Sequence, residues 1–153
     1  MDEVSELDPS IIVISGSAGI GNQSPADWGR ATTRTVSALA EQGIKIVYIL
    51  DTPRRGHDVT GPACVAANLA DVSQCITPQD EAQPYEGITD TISTAVVRSG
   101  GVVIDPTSWF CADDKCPSVI GNYLVYRDQS HVTASYMRFL VPELERLLPL
   151  AAR

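Results

Sequence analysis

The sequence predicts an α/β domain built on a parallel sheet. Ile11–Ile14 is a short, continuous β-branched run with the pattern of a strand buried on both faces, Ile44–Leu50 reads as a second buried strand and Val102–Asp105 as a third strand. Segments with helical apolar spacing separate them, so strand, helix and strand follow one another as in βαβ units.

The elements follow in order. Asp8-Pro9 turns the chain into the first strand, Ile11–Ile14. A small-residue loop, Ser15-Gly16-Ser17-Ala18-Gly19-Ile20-Gly21-Asn22, follows at the strand's C-terminal end, where open α/β sheets hold ligands. It matches neither a dinucleotide fingerprint nor a P-loop. Ser24-Pro25-Ala26-Asp27 opens a helix, with Ser24 as N-cap, Pro25 at the first position and Asp27 at the positive end. Trp28, Thr32, Thr35, Val36, Leu39 and Ala40 form its apolar face, and Gly43 ends it. The strand Ile44–Leu50 closes at Asp51-Thr52-Pro53. Arg54 to about Pro84 reads as a long irregular segment, with a short helix around Ala66–Ala70. Glu86–Ser99 is the next helix, with Ile88, Ile92, Ala95 and Val96 inward and Gly100-Gly101 as its stop. After the third strand, Pro106–Tyr126 is a second long loop carrying Trp109-Phe110. Thr133 caps a last helix whose apolar face is Tyr136, Phe139, Leu140, Leu144, Leu147 and Leu148, and Pro142 should kink it. Three strands leave an edge that needs covering.

The length, 153 residues, suits one domain with a real core. A formal net charge of −8 argues against a nucleic-acid backbone or an anionic membrane surface as partner. No apolar run reaches the roughly 18 residues that span a bilayer. The acidic start (Asp2, Glu3, Glu6, Asp8) has no basic region of a signal peptide. The four cysteines fall in two close pairs, Cys64 with Cys75 and Cys111 with Cys116, and neither pair has zinc-site spacing. An even count in local pairs points to two disulfides and an oxidising compartment, local pairing being the simplest of three connectivities. A chain with disulfides and no export signal reads as a piece of a larger protein.

Asp128 and His131 stand three residues apart, on the first turn of a helix or the tight turn before it, where both side chains face one way. A carboxylate beside an imidazole makes a general base: it fixes the tautomer and stabilises the imidazolium. The same spacing also serves plain capping, with Asp128 at the positive end of the helix.

In order and spacing, Ile11–Gly16, Asp51-Thr52-Pro53, the two cysteine pairs and Val119-x-Gly121-Asn122-x-x-Val125-Tyr126-Arg127-Asp128-x-x-His131-x-Thr133 resemble one family. It is the SGNH-type domain at the C-terminal end of bacterial acyltransferase-3 membrane proteins, which O-acetylate cell-surface polysaccharides. The resemblance runs from about Val4 to Leu148. It implies a flavodoxin-like three-layer α/β/α sandwich, the SGNH hydrolase fold, here with the N-terminal strand or strands missing. It makes Asp128 the orienting residue and His131 the general base of a Ser-His-Asp triad. It also implies an acyl donor, a cell-surface glycan and a transmembrane acyltransferase domain of the same protein as partners, an extracytoplasmic location, and no cofactor or metal.

The family's nucleophile sits in a Gly-Asp-Ser-type turn, and no such turn occurs in this chain. Residues 1–153 therefore read as a partial SGNH domain without its nucleophile block, inactive alone. Where simple members carry Gly-x-Asn-Asp, the aligned segment is Gly16-Ser17-Ala18-Gly19, so Ala18 stands at the oxyanion Asn. Gly16 and Ser17 are candidates for the oxyanion pocket, and Tyr126 and Arg127 for substrate contact. One alternative is a stand-alone esterase using Ser17. Another is a non-catalytic carbohydrate-binding module with Trp109, Phe110, Tyr123 and Tyr126 as a stacking platform. His57, in a charged loop with Arg54, Arg55 and Asp58, reads as solvated surface.

Overall fold

The structure is a computed structural model that describes residues 4, 6–19, 22–55 and 59–148. His57 and its neighbours Gly56 and Asp58 lie outside the described residues, as do Ile20 and Gly21. The chain divides into two compact units. One holds the residues up to Asp51 together with Tyr85–Asp105. The other holds Thr52–Pro84 and the described residues from Pro106 onward.

The first unit is a parallel sheet of β1 (Ile11–Ser15), β2 (Lys45–Ile49) and β4 (Val102–Ile104) in the order β1-β2-β4. Val13 pairs with Val47, and Val47 with Val102, so these three valines form one row across the sheet. The central Val47 is fully buried, while Val13 and Val102 are 46% and 47% exposed. The expectation that Ile11–Ile14 is buried on both faces therefore fails at Val13, and the buried strand of this sheet is β2. β1 and β4 are the edges of this sheet, with a neighbouring strand on one side only.

Helices α1 (Pro25–Ala40) and α4 (Glu86–Arg98) cover one face. Val36 and Leu39 of α1 and Ile92 and Val96 of α4 pack with Ile46 and Tyr48 of β2 in a single cluster. Thr35, expected on this apolar face, is exposed instead. Ser24 and Asp27 form a full capping box at the start of α1. Gly29 lets the two helices approach, because a Cβ there would stand 2.8 Å from Cγ2 of Thr91. Gly100, with φ +85°, ends α4 in the left-handed conformation that glycine adopts without strain.

The second unit is mostly short elements. The stretch expected to be irregular holds α2 (Gly61–Ala67), a 3₁₀ turn (Val72–Cys75), β3 (Ile76–Pro78) and α3 (Gln79–Ala82). The short helix thus starts five residues before the expected Ala66. Thr60 caps it, accepting from the Ala63 N–H, and Pro62 sits in its first turn. After α5 (Thr107–Phe110), strand β5 (Lys115–Pro117) pairs antiparallel with β3, and β6 (Val119–Ile120) with β7 (Tyr123–Leu124). The disulfides are Cys64–Cys75 and Cys111–Cys116. Loop-closure entropy gives them about 3 and about 2 kcal/mol respectively.

The core of this unit is aromatic. Phe110, Tyr126 and Tyr136 pack with Val125 and Leu140, the last from α6 (Ala134–Leu147). α6 is capped by Thr133 and runs through Pro142. Its buried stripe is narrower than its sequence suggests, since Phe139 and Leu147 are 52% and 37% exposed.

Candidate active site

The segment from Val125 to Thr133 is a tight loop tied at its base. The Val125 N–H donates to the Ser118 carbonyl at 2.9 Å, and the Thr133 N–H donates to the Val125 carbonyl at 2.8 Å. The Thr133 hydroxyl donates to the Leu124 carbonyl at 2.6 Å while also capping α6. Higher up, the Arg127 N–H donates to the His131 carbonyl at 2.9 Å. Asp128, Gln129 and Ser130 form the tip. Asp128 is therefore not the helix cap; Thr133 takes that role, and Asp128 organises the tip instead.

One carboxylate oxygen, Oδ1, accepts the backbone N–H groups of Ser130 at 2.9 Å and His131 at 2.8 Å. Asp side chains often close turns by binding the backbone two residues on. The other oxygen, Oδ2, lies 2.8 Å from Nδ1 of His131. The His131 N–H and then the Ser130 N–H hold the Asp128 carboxyl down to about 2, and the imidazole contact adds to this. Asp128 is thus an anion at neutral pH and can only accept hydrogen bonds. The shared proton must then sit on Nδ1, which leaves Nε2 with its lone pair outward. Nε2 has no partner among the described residues, and the His131 side chain is 66% exposed. This arrangement can take a proton at Nε2 and stabilise the resulting imidazolium through Asp128. Arg127 Nε stands 3.6 Å from Asp128 Oδ2 on a side chain that is 67% exposed, a loose surface ion pair.

The other candidate residues fall elsewhere. Ser17 belongs to the first unit, where its hydroxyl donates to Asp51 Oδ2 at 3.2 Å. The neighbouring Ala18 N–H donates to the same oxygen at 3.0 Å, so Asp51 fastens the loop after β1 to the end of β2. Gly16 is exposed, and the Tyr48 hydroxyl stands 3.8 Å from where its Cβ would be. Tyr126 does not reach the surface as a substrate contact would. It is 1% exposed, and its hydroxyl donates to the Pro53 carbonyl at 2.8 Å. Phe110 is equally buried and stacks on Tyr126 at 6.0 Å. Of the expected aromatic platform, two members are core, because an irregular unit with short strands fills its interior with large rings. Trp109 and Tyr123 are half-buried around them.

Sequence reasoning missed the scaffold beneath the tip. The Arg55 N–H donates to the Gln129 carbonyl at 3.0 Å, and its guanidinium Nε donates to the Ser118 hydroxyl at 2.9 Å. These residues are far apart in sequence, and neither belongs to a short motif. A groove of about 1080 Å³ lies between α1 and α4. Its charged lining is Arg30, Arg34 and Arg98 against Asp27 and Asp90, and Arg30 is bound to Asp27, so it has no strong preference for either sign of ligand. Among the described residues no three His, Cys, Asp or Glu side chains converge as metal ligands, and no helix is long and apolar enough to cross a membrane.

No curated protein matches the sequence. Three solved structures share its fold. The periplasmic domain of a lipopolysaccharide acetyltransferase from Salmonella ser. Paratyphi A is 15% identical, with a TM-score of 0.75 over 95% of this chain and 59% of that one. A protein of Bacteroides fragilis described as an acylhydrolase is 14% identical, with a TM-score of 0.62 over 95% of this chain and 64% of that one. A GDSL-like lipase of Bacteroides thetaiotaomicron is 13% identical, with a TM-score of 0.59 over 96% and 67% of the two chains. The chain thus spans less than two thirds of the first two relatives. The family model for the SGNH domain (fused to AT3 domains) matches residues 3–146. With nearly its whole length covered by that model and its fold shared with acyltransferase and lipase domains, the chain belongs to the SGNH domain family, in the form fused to AT3 domains.

Proposed function

We propose that this chain is the C-terminal part of an SGNH-type O-acyltransferase or acetylesterase domain acting on cell-surface polysaccharide. It supplies the orienting Asp128 and the general base His131. The nucleophilic serine comes from a preceding part of the same domain, and residues 1–153 have no catalysis alone. The observation that carries this reading is the hydrogen bond from Nδ1 of His131 to an ionised Asp128, with Nε2 left open. The lack of a Gly-Asp-Ser turn and the 59% span of the acetyltransferase domain are consistent with a missing block.

The proposed steps are those of Ser-His-Asp enzymes. The serine hydroxyl attacks the acyl carbonyl while Nε2 of His131 takes its proton. Backbone N–H groups hold the oxyanion. The proton returns to the leaving group; a sugar hydroxyl or water then attacks the acyl-serine, giving its own proton to Nε2 of His131, which passes it to the departing serine oxygen. In this reading an AT3 domain in the membrane presents the acyl donor and this domain works on the extracytoplasmic face. The Ser17 alternative is less favoured, because the Ser17 hydroxyl is engaged by Asp51. The carbohydrate-module alternative loses two of its four rings to the core.

The test pairs two assays. In the full-length protein, His131→Ala should abolish acetylation of the surface glycan. The 153-residue chain should not hydrolyse p-nitrophenyl acetate. Turnover by the chain alone that disappears in Ser17→Ala would overturn this reading in favour of a stand-alone esterase.

A further inference from the structure

We propose that Arg55 is the positioning residue for the Asp128–His131 pair, an assignment that rests on the base role given to His131 above. Arg55 touches the tip of the base loop through its backbone, at the Gln129 carbonyl between the two site residues. Its guanidinium is anchored in three directions. Nε donates to the Ser118 hydroxyl at 2.9 Å, and Nη1 donates to the Thr60 carbonyl at 3.2 Å and to the Val59 carbonyl.

Each anchor is itself fixed. Ser118 is 1% exposed, and its hydroxyl donates to the Cys75 carbonyl at 2.8 Å. Its own carbonyl accepts from Val125, the residue that opens the base loop. Cys75 is bridged to Cys64 in α2, and Thr60 caps α2. The start of α2 also touches the base loop, since a Cβ on Gly61 would lie 3.1 Å from the Tyr126 carbonyl. Arg55 therefore joins the tip of the loop, through its backbone N–H, to the root of the loop, through its guanidinium. All the guanidinium's hydrogen-bond partners among the described residues are neutral oxygens. Among the described residues no ion pair holds this side chain; directional bonds do, which is the use for which arginine's fixed fork exceeds lysine's single ammonium.

Removing the fork should leave the fold in place. In Arg55→Met the Ser118 hydroxyl keeps its bond to Cys75, so no buried donor is orphaned. What is lost is the hold on residue 55, and with it the setting of Gln129 and the imidazole beside it. A displacement on the order of 1 Å at a reacting group can cost about 100-fold.

Two measurements test this. In the full-length protein, Arg55→Met should lower kcat of acetyl transfer roughly 10- to 100-fold with KM little changed. Arg55→Lys should fall as far, because it keeps the charge and loses the fork. In the 153-residue chain, ¹⁵N spectra of His131 should show Nδ1 protonated in the wild type and a mixture of tautomers in both variants. Thermal melts monitor folding, and Ser118→Ala, expected to move both readouts the same way, carries the test if Arg55→Met does not fold. Wild-type kcat and an unchanged tautomer in the folded Arg55 variants would overturn the proposal, as would full activity in Arg55→Lys. A wild-type His131 without a proton on Nδ1 would instead overturn the reading of Asp128 and His131 on which it rests.

Discussion

Asp128→Asn isolates the electrostatic work of the site from its architecture. Asp128 uses its two oxygens differently: Oδ1 accepts two backbone N–H groups, and Oδ2 accepts the imidazole. An asparagine can keep the Oδ1 contacts, as neutral bonds weaker than those of the anion, so the loop tip keeps its turn and the chain should still fold with a modestly lower melting temperature. At the Oδ2 position it presents an NH₂ group, which can only donate. His131 must then accept at Nδ1 and carry its proton on Nε2, the nitrogen that receives the serine proton in the proposed mechanism. The site loses both its available lone pair and the anion that stabilises the imidazolium. In Ser-His-Asp enzymes this change costs about 10⁴-fold in kcat, and the same figure is expected here because the same two atoms are exchanged. The assay is acetyl transfer by the full-length protein, with Arg127→Gln as the control. That control should stay within roughly threefold, given an exposed contact of 3.6 Å. Wild-type kcat in Asp128→Asn would refute the base assignment. A loss matched by an equal loss of folded protein would show that the residue serves only the turn.

Two further outcomes follow from the structure. The Asp128 carboxyl, held down to about 2 by the two N–H groups, lies below an ordinary aspartate at about 3.9. A depressed folded value means that its support of the loop is complete above the unfolded value and is lost as pH falls through the folded one. A ¹³C carboxyl titration should therefore find a midpoint near 2, and a midpoint near 4 would show that the two contacts are not made. At the α1–α4 contact, Gly29→Ala drives a Cβ to 2.8 Å from Cγ2 of Thr91, whose hydroxyl is pinned to the Gly87 carbonyl at 2.8 Å. Such overpacking costs about 1–3 kcal/mol in chemical denaturation. Thr91→Ser removes the offending methyl and should restore most of the loss; no rescue would place the cost elsewhere.

Local chemistry made much of the fold legible. Ser24, Pro25 and Asp27 state the start of α1 in four consecutive residues, and the β-branched run around Val47 states the central strand. The same reading overestimated β1, because a run of Ile and Val looks alike in a central and an edge strand, and only pairing separates them. Thr60 and Pro62 carried a start signal for α2 that the search for apolar spacing passed over, since a helix of 7 residues has too little periodicity to show. At the site, the three-residue spacing of Asp128 and His131 was visible because the interaction is local. Arg55 and Ser118 stand 63 positions apart, and nothing in either neighbourhood announces the other. The rings were ambiguous for a related reason: Phe110 and Tyr126 suit a sugar platform and a packed core alike, and burial alone tells one from the other.

The chain passes between the two units at Asp51/Thr52, Pro84/Tyr85 and Asp105/Pro106. Each unit is thus assembled from alternating segments of the sequence, so no single proteolytic cut can release either intact. This also sets a schedule. β2 meets β4 through Val47 and Val102, and the whole of the intervening segment must be made before the third strand can join. Both disulfide loops, by contrast, close over 11 and 5 positions and can oxidise as soon as they emerge. As the chain emerges, the second unit's first bridge can therefore be set before the first unit's sheet is complete. Pulse-labelled hydrogen exchange should show protection at Val47 arriving after closure of the Cys64–Cys75 loop, with the slow, non-local pairing as the later event.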